Sequence, residues 1–335
     1  MRQPDTTLVS VVVPAYNAAA TLDETLCSVR AQTHRALEII VVDDGSSDET
    51  PTIVERHAVE DSRLRLLRQA NAGVAAARNA GWRAAKADLM SFIDADDLWA
   101  PTKIERQLQA LEQAGPSAGL AYCWTARLAE DGTVSRYHDG VSHEGDALST
   151  ILRSNYIGSG SNVLVRRQAL VDTEGFDTRL REAGAQGCED WLFCCRVAQS
   201  HHFACVPEYL VGYRYRELAM SRDRRQMLRS HVRMCAQLIG RRADRRAVLA
   251  GLQAYCFWLL HDARSRHEWG ELMPLWLTVW RRYPWVALRV AWRDVLLDPV
   301  RRVRDRVRGP RRVSSAAVAR VLGQHFLNDS ARVQP

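Results

Sequence analysis

The chain has 335 residues, which is enough for two domains or for one large domain with an appendage. Its 47% hydrophobic and 25% charged residues are typical of a soluble globular protein. Every apolar run falls short of the ~20 residues that a membrane-spanning helix needs, and the first apolar run, 8–13, is too short for a signal peptide. We therefore expect neither a spanning helix nor an export signal.

The net charge of +7 is unevenly distributed along the chain. Residues 221–335 contain 24 Arg and no Lys against 9 acidic residues, a balance of +15. Residues 1–220 contain 22 Lys and Arg against 30 acidic residues, a balance of −8. This shift predicts a boundary near residue 220 between two regions with different surfaces.

The first 100 residues alternate between two hydrophobic patterns. Apolar, β-branched runs predict buried strands, and apolar residues at helical spacing predict helices between them. The strands are expected at 8–13, 37–42, 64–67 and 89–93, and the helices at 18–32, 50–59 and 75–86. Such alternation predicts an α/β fold with a doubly wound, mostly parallel sheet.

Polar residues follow the carboxyl end of each predicted strand. Right-handed crossovers place these strand ends on one edge of the sheet, where such folds bind ligands. We therefore expect one crevice to collect Tyr16, Asn17, Asp43, Asp44, Asn71, Asp94 and Asp96. The glycine fingerprint of dinucleotide-binding folds does not follow the first strand, and the P-loop pattern does not occur.

Three acidic residues, Asp94, Asp96 and Asp97, stand within four positions after the fourth predicted strand. Like charges this close repel and raise one another's pKa. A hard divalent cation would explain them, because Mg²⁺ and Mn²⁺ prefer oxygen ligands and Mg²⁺ combines carboxylates with substrate phosphates. The alternative is a solvated turn in which Asp97 caps the following helix.

The pattern beyond residue 100 is less regular. A helix is predicted at 101–114, strands at 118–127, 203–206 and 210–216, and a hairpin turn at 130–133. Between these elements, Glu189, Asp190 and Trp191 open an apolar helix that is expected to reach residue 198. An acidic pair at this position is also what an ordinary helix N-terminus would carry.

Six short motifs follow one another along the first 220 residues. They are Pro14-Ala15-Tyr16-Asn17, residues 43–48 beginning Asp43-Asp44-Gly45, Asn71-Ala72-Gly73 with Ala77-Arg78-Asn79, Asp94-Ala95-Asp96-Asp97, Glu189-Asp190-Trp191, and residues 213–216 with Met220-Ser221. In this order and spacing they resemble family 2 glycosyltransferases with the GT-A fold. The resemblance implies an inverting transfer from a nucleoside-diphosphate sugar, of UDP or dTDP type, to a glycan or lipid-linked glycan hydroxyl.

The resemblance also implies site residues on the donor side. The nucleotide-binding positions would be Pro14, Ala15, Tyr16, Asn17, Asp43, Asp44, Asn71, Gly73, Asp94 and Ala95. The carboxylate of Asp44 would accept from a ring N–H of uracil or thymine. Asp94 and Asp96 would hold the ribose and a Mn²⁺ or Mg²⁺ ion that bridges the diphosphate, and Arg78 would lie near the sugar or phosphate.

On the acceptor side, the resemblance implies that Asp190 is the general base. Glu189, Trp191 and Arg214 would contribute to substrate binding. Many relatives carry His at the position of Arg216, and an Arg there could contact the diphosphate. A helix N-terminus lowers the pKa of a carboxyl group, whereas apolar surroundings raise it, so the sequence leaves the pKa of Asp190 open.

Processive relatives carry Gln-x-x-Arg-Trp after the base and have spanning helices. Neither feature is expected here, which favours transfer of a single sugar. Within this interpretation, residues 1–115 would form the nucleotide-sugar half, residues 116–220 the acceptor half, and residues 221–335 a basic helical region. A nucleotidyltransferase with a similar metal site and a non-catalytic scaffold are the alternatives.

The C-terminal region lies outside the resemblance. Residues 227–240 and 247–261 predict amphipathic helices, residues 272–292 interleave Trp with Arg, and residues 301–312 form a basic cluster. Trp and Arg on amphipathic segments suit the headgroup layer of an anionic membrane, so residues 270–312 predict a peripheral protein at the cytoplasmic face. The alternative is a helical bundle packed on the catalytic domain; nucleic-acid binding is not expected, because no recognition motif accompanies the Arg residues.

Overall fold

The computed structural model describes residues 6–138, 140–215, 220, 223–240, 244–265, 268–292 and 326. Within these residues, nine strands form one sheet. The strands are β1 (Val9–Ala15), β2 (Leu37–Asp43), β3 (Leu64–Arg68), β4 (Leu89–Phe92), β5 (Leu98–Trp99), β6 (Ala118–Leu128), β7 (Val134–Tyr137), β8 (Val163–Arg166) and β9 (His202–Arg214). Their order is β3-β2-β1-β4-β8-β6-β9-β5, with β7 paired to β6.

The helices lie between and after these strands. Those of the first 200 residues are α1 (Leu22–Arg30), α2 (Thr50–Glu60), α3 (Val74–Ala84), α4 (Lys103–Ala114), α5 (Leu148–Ile151), α6 (Arg167–Thr173), α7 (Arg179–Glu182) and α8 (Glu189–Val197). The C-terminal ones are α9 (Arg224–Gly240), α10 (Arg245–Ser265), α11 (Trp269–Trp280) and α12 (Pro284–Trp292).

The first half of the sheet is entirely parallel. β1 pairs in parallel with β2 and β4, and β2 pairs in parallel with β3. Every residue of β1 is buried. Val12 packs into one hydrophobic core and Val11 and Val13 pack into the other, because helices cover both faces of the sheet. The four predicted strands begin and end within two residues of those observed.

The second half of the sheet mixes strand directions. β8 is antiparallel to both β4 and β6, whereas β9 runs parallel to β6 and antiparallel to β5. The two strands predicted at 203–206 and 210–216 are one strand, β9, whose pairing with β6 contains register shifts near Trp124. The predicted α/β class is confirmed.

The four C-terminal helices pack on the side of the sheet domain that carries α8. Ser230 in α9 accepts a hydrogen bond from the backbone N–H of Cys188 at 2.9 Å, and the ring of His231 meets Trp191 edge to face at 4.5 Å. The helical appendage predicted from the sequence is therefore confirmed, and it shares a core with the sheet domain. Among the described helices, none has the length and apolar character needed to cross a bilayer.

Candidate active site

A cleft of about 810 Å³ opens beyond the carboxyl ends of β1, β2 and β4. The N-terminus of α8 forms part of its wall. Twelve of the predicted site residues line this cleft: Pro14, Ala15, Tyr16, Asn17, Asp44, Arg78, Asp94, Ala95, Asp96, Glu189, Asp190 and Trp191. Of the seven strand-end residues expected in one crevice, five line the cleft, and Asp43 and Asn71 do not.

The acidic turn after β4 is held by buried polar contacts. The backbone N–H of Asp94 donates to Ser161 Oγ at 3.0 Å, and the hydroxyl of Ser161 donates to Asp97 at 2.5 Å. Asp97 is fully buried, and burial raises its pKa well above the usual range, with further contributions from Asp96 and Asp94. The alternative of a solvated turn with Asp97 as a helix cap is wrong, since Asp97 points inward and α4 begins only at Lys103.

A buried arginine lies among the acidic residues of the cleft. Arg78 is 4% exposed, and its guanidinium donates to Asp94 Oδ1 at 2.5 Å. Burial lowers the pKa of Arg78, but the charges of Asp94 and Asp190 outweigh that effect and raise its pKa overall. The guanidinium therefore stays charged and links the turn after β4 electrostatically to the start of α8.

Asp190 lies in the first turn of α8 and is partly exposed to the cleft. Its Oδ1 atom accepts a hydrogen bond from the backbone N–H of Trp191 at 2.7 Å. Burial raises the pKa of Asp190; Arg78 opposes that shift and Asp94 adds to it, and the pKa is raised overall. Of the influences on this pKa, burial is the largest, and the direction that the sequence left open is upward.

Glu189 precedes Asp190 but faces a different way. Its two carboxylate oxygens accept hydrogen bonds from the backbone N–H of Gly187 at 2.9 and 2.8 Å. Burial raises its pKa as well. Since Glu189 folds back on its own loop and is 4% exposed, Asp190 is the carboxylate of this pair that is better placed to reach a ligand.

Asp44 lines the cleft, but its carboxylate also holds the loop before α3. Its Oδ1 accepts from the Gln69 side chain at 2.7 Å and from the Ala72 N–H at 2.8 Å, while Oδ2 accepts from the Gly73 N–H at 2.7 Å. Arg181 lies 3.9 Å from the same Oδ2. A base contact by this carboxylate, which stays a prediction, would have to share oxygens that already accept these bonds.

Four predicted site residues that the structure describes do not line the cleft: Asp43, Asn71, Gly73 and Arg214. Asp43 accepts from the Ser46 N–H at 3.0 Å, and Asn71 accepts from Arg181 at 2.5 Å. Gly73 has a positive φ of 91°, and a side chain there would meet Arg181 at 2.6 Å. These three residues therefore shape the loops behind the cleft.

Arg214 is buried and anchors the acidic turn from behind. Its Nε donates to the Asp96 carbonyl at 3.0 Å and its Nη2 donates to the Glu24 carboxylate at 2.5 Å. It is 4% exposed, so the predicted substrate contact is replaced by a contact that positions the backbone of Asp96. Arg216 lies outside the described residues.

Comparison with known proteins adds to this geometry. Residues 10–173 match the family model of glycosyl transferase family 2. This region of the chain belongs to that family. An uncharacterized glycosyltransferase of Nostoc is 31% identical over 54% of the chain and 57% of its own length. A Bacillus subtilis protein whose name assigns it to teichuronic acid biosynthesis, TuaG, is 35% identical over 38% of the chain and 50% of its own length. The matched segments thus span about half of these relatives.

Solved structures of similar fold extend over more of this family 2 chain. Staphylococcus aureus TarS 1–349, solved in complex with UDP-GlcNAc, superposes with a TM-score of 0.63 at 17% identity over 84% of the chain and 83% of TarS 1–349. The mannosyltransferase PcManGT of Pyrobaculum calidifontis, solved with GDP-Man and Mn²⁺, gives 0.57 at 21% identity over 88% of the chain and 90% of its own. These similarities confirm the predicted GT-A-type fold.

The cleft of this family 2 chain also has a wall that sequence reasoning missed. Five of its residues come from α9 and α10, beyond the matched residues 10–173: Met227, Gly251, Ala254, Tyr255 and Trp258. A loop after α5 adds Arg153, Ser154 and Asn155. The available signal was the amphipathic pattern of 247–261, which predicts a helix but not what its faces contact.

A divalent cation fits the acidic turn by the chemistry of its donors. Asp94 and Asp96 both line the cleft and are partly exposed, so that hard oxygen ligands face the space where a diphosphate would lie. Elsewhere among the described residues, Asp23, Cys27 and His57 have potential metal-ligand atoms within 4.8 Å of one another. There His57 already contacts the Arg30 guanidinium and the Asp23 carboxylate through its two ring nitrogens, which explains the group as an ion-pair network.

Proposed function

We propose that this chain is an inverting, metal-dependent glycosyltransferase that moves one sugar from a nucleoside-diphosphate sugar to a hydroxyl group of an acceptor. The observation that supports it most is the placement of Asp190 in the same cleft as Asp94 and Asp96. The Arg78 guanidinium is close enough to Asp94 and Asp190 for both charges to raise its pKa. One carboxylate opposite a diphosphate-binding pair is what inverting transfer requires.

Asp190 is proposed as the general base. A carboxylate with a raised pKa takes a proton from a hydroxyl group more readily than an ordinary aspartate does. Its backbone contact with Trp191 fixes the carboxylate at the start of α8. The acceptor hydroxyl would lose its proton to Asp190 as its oxygen attacks the anomeric carbon from the face opposite the diphosphate.

Asp94 and Asp96 are proposed to hold a Mn²⁺ or Mg²⁺ ion. When bound, such an ion neutralises the charge that develops on the leaving diphosphate. Arg78 supplies a fixed positive charge on the same side of the cleft and orients the Asp94 carboxylate. Arg214 and Ser161 position the backbone of the turn, so these oxygen ligands would be arranged before a donor binds.

The loop after β1 is proposed to bind the nucleoside. Tyr16 is 54% exposed at the cleft, and the neighbouring Asn17 has a positive φ of 47° that is stabilised by hydrogen bonds with Ser46 and Ser47. An exposed aromatic ring on a fixed loop suits stacking with a nucleobase. UDP- and dTDP-sugars are the donors that we propose, in keeping with the UDP-GlcNAc in the TarS complex.

The acceptor is proposed to be a glycan or lipid-linked glycan of the bacterial surface, in line with the teichuronic acid assignment of TuaG. Transfer of a single sugar is favoured because Gln-x-x-Arg-Trp does not follow Asp190. The alternative of a nucleotidyltransferase differs in its product, since it would release pyrophosphate.

We also propose that α11 and α12 bind an anionic membrane surface. Each helix leaves one apolar stripe exposed at helical spacing, where a water-facing helix would carry polar residues. The two stripes are Met273, Leu277 and Trp280 on α11, and Trp285, Leu288 and Trp292 on α12. Arg281, Arg282 and Arg289 are exposed beside them, and residues 272–292 contain no acidic residue. Residues 293–312 of the predicted membrane surface lie outside the described residues.

The experiment that tests the proposed function is a product analysis. Full-length protein is incubated with a panel of UDP-, dTDP- and GDP-sugars, with Mn²⁺ or Mg²⁺ or with chelator. Release of nucleoside diphosphate and free or transferred sugar, dependent on the ion, is expected. Thermal stabilisation of the protein by one donor class should identify the nucleobase that it binds. Release of pyrophosphate, or stabilisation by no nucleotide sugar, would contradict the proposal.

A further inference from the structure

One face of α10 forms the wall of the cleft beside α8. Gly251, Ala254, Tyr255 and Trp258 line the cleft at positions i, i+3, i+4 and i+7, so they share a single helical face. The helix can approach this closely because residue 251 is glycine. A Cβ atom there would lie 2.3 Å from the Leu152 carbonyl oxygen. The start of α10 is therefore fixed against the loop 152–155.

Trp258 is unusual on this face. Its side chain is 58% exposed although the residue lines a cleft, so much of its apolar surface is open to a ligand. One side of its ring stacks on Tyr255, with ring centroids 5.9 Å apart and planes inclined by 29°. An indole that is supported on one side and exposed on the other offers a flat apolar surface.

The stack continues from Trp258 to the proposed base. Tyr255 lies 4.4 Å from the ring of His231, and His231 meets Trp191 edge to face at 4.5 Å, next to Asp190 in the chain. His231 is fully buried, burial lowers its pKa to about 3, and neither of its ring nitrogens has a hydrogen-bond partner among the described residues. It is thus a neutral packing ring. Through Tyr255 and His231, Trp258 is held in a fixed relation to Trp191 on α8.

Polar residues stand beside this apolar surface. Arg153 and Ser154, on the loop against which Gly251 packs, are exposed and line the same cleft. A flat aromatic face with polar side chains at its edge suits a pyranose ring, which has an apolar C–H face and hydroxyl groups around its rim. A lipid chain would leave these polar groups without a partner.

We propose that α10 forms the acceptor side of the cleft and that Trp258 stacks against the C–H face of a sugar ring in a glycan acceptor. This assignment rests on the proposed glycosyl transfer, because that function places the acceptor on the α8 side of the cleft and the donor on the β4 side. The C-terminal helices would then determine acceptor specificity, while the matched family region binds the donor.

Saturation-transfer NMR on the full-length protein tests this assignment. Methyl glycopyranosides of glucose, galactose, mannose and N-acetylglucosamine serve as probes, with UDP or GDP and Mg²⁺ present. Saturation of ring C–H protons is expected for at least one probe. Trp258→Ala should weaken it roughly five- to tenfold, because one aromatic contact is lost, and Trp258→Phe should keep part of it. Val59→Ala removes an exposed apolar side chain on α2, which does not line the cleft, and should change nothing.

The exposed face of Trp258 is the acceptor platform of this proposal. Two results would overturn it: saturation of none of the probes, or equal saturation in wild type and Trp258→Ala. Donor hydrolysis, measured as release of nucleoside diphosphate without acceptor, separates this failure from that of the proposed function. If the donor is hydrolysed but no probe contacts Trp258, the platform is wrong and glycosyl transfer stands. If no donor binds or is hydrolysed while a probe depends on Trp258, the proposed function fails and the sugar site stands.

Discussion

At the scale of single residues, the proposed chemistry depends most on the Asp190 carboxylate. Asp190→Asn keeps the size and the hydrogen bond from the Trp191 N–H but removes the base. We expect transfer to fall by about 10²–10⁴-fold, with unchanged affinity for the nucleoside diphosphate. Asp88→Asn, at a fully solvated acid, is the control. Turnover of Asp190→Asn close to wild type would remove this residue from the mechanism.

The pH dependence follows from the same carboxylate and its neighbour. A base must be ionised, so activity should appear as pH rises through the pKa of Asp190, which burial raises. Arg78 holds that pKa down, so removing its charge should raise the pKa further. Arg78→Gln should therefore move the acid limb of the kcat profile to higher pH, whereas Arg78→Lys should stay near wild type.

The Arg78 comparison also has a structural control. Breaking a buried ion pair can destabilise a protein by about 3–5 kcal/mol, so the thermal midpoint of each variant is measured alongside its pH profile. A folded Arg78→Gln protein whose acid limb coincides with that of wild type would show that Arg78 does not set the ionisation of Asp190.

Sequence reasoning was most informative for residues at strand ends. Asp94, Asp96 and the residues after β1 could be placed in one cleft because parallel strands end on a common edge. It was less informative about side-chain direction. Glu189 and Arg214 are charged, like the residues that do face the cleft. Glu189 nevertheless turns back to the Gly187 N–H, and Arg214 turns inward to the Asp96 carbonyl. Such contacts join residues far apart in sequence, and no local pattern specifies them.

At the scale of elements, a periodic pattern predicts a helix but not its neighbour. The amphipathic pattern at 247–261 correctly indicated α10, but it did not show that Gly251, Ala254, Tyr255 and Trp258 line the cleft. Within β9, by contrast, the sequence pattern predicted a break between two strands where the structure has one continuous strand. Pro207 and Glu208 interrupt the apolar run, but register shifts in the pairing with β6 keep the strand continuous.

The close packing of α10 gives a prediction about stability. Gly251→Ala places a methyl group 2.3 Å from the Leu152 carbonyl oxygen, and backbone cannot move aside cheaply. We expect a loss of about 1–3 kcal/mol in the free energy of unfolding, measured by urea denaturation. Gly240→Ala on α9 meets no atom within 4 Å and should be neutral or slightly stabilising. Equal stability of the two variants would contradict the contact between α10 and the loop 152–155.

At the scale of the whole molecule, charge and exposed apolar surface coincide. Residues 1–220, which have a net negative charge, supply most of the cleft, and the Arg-rich residues 221–335 carry the two exposed apolar stripes of α11 and α12. Three of the exposed residues in these stripes are tryptophans, which favour the boundary between headgroups and acyl chains. An anionic bilayer attracts each cation that lies near its surface, so Arg281, Arg282 and Arg289 beside the stripes suit such a partner.

Vesicle co-sedimentation of the full-length protein tests the membrane proposal. We expect binding to vesicles of phosphatidylcholine with phosphatidylglycerol, little binding to phosphatidylcholine alone, and weakening by salt because screening shortens the reach of the arginine charges.

Arg281→Glu with Arg282→Glu should reduce partitioning at least about tenfold, since each cation near such a surface contributes appreciably. Trp285→Ala with Trp292→Ala should weaken binding to the same vesicles. Arg136→Glu, at an exposed position of β7, should behave as wild type. Wild-type and charge-reversed proteins that pellet equally, or self-association that is independent of lipid, would assign the stripes to another partner.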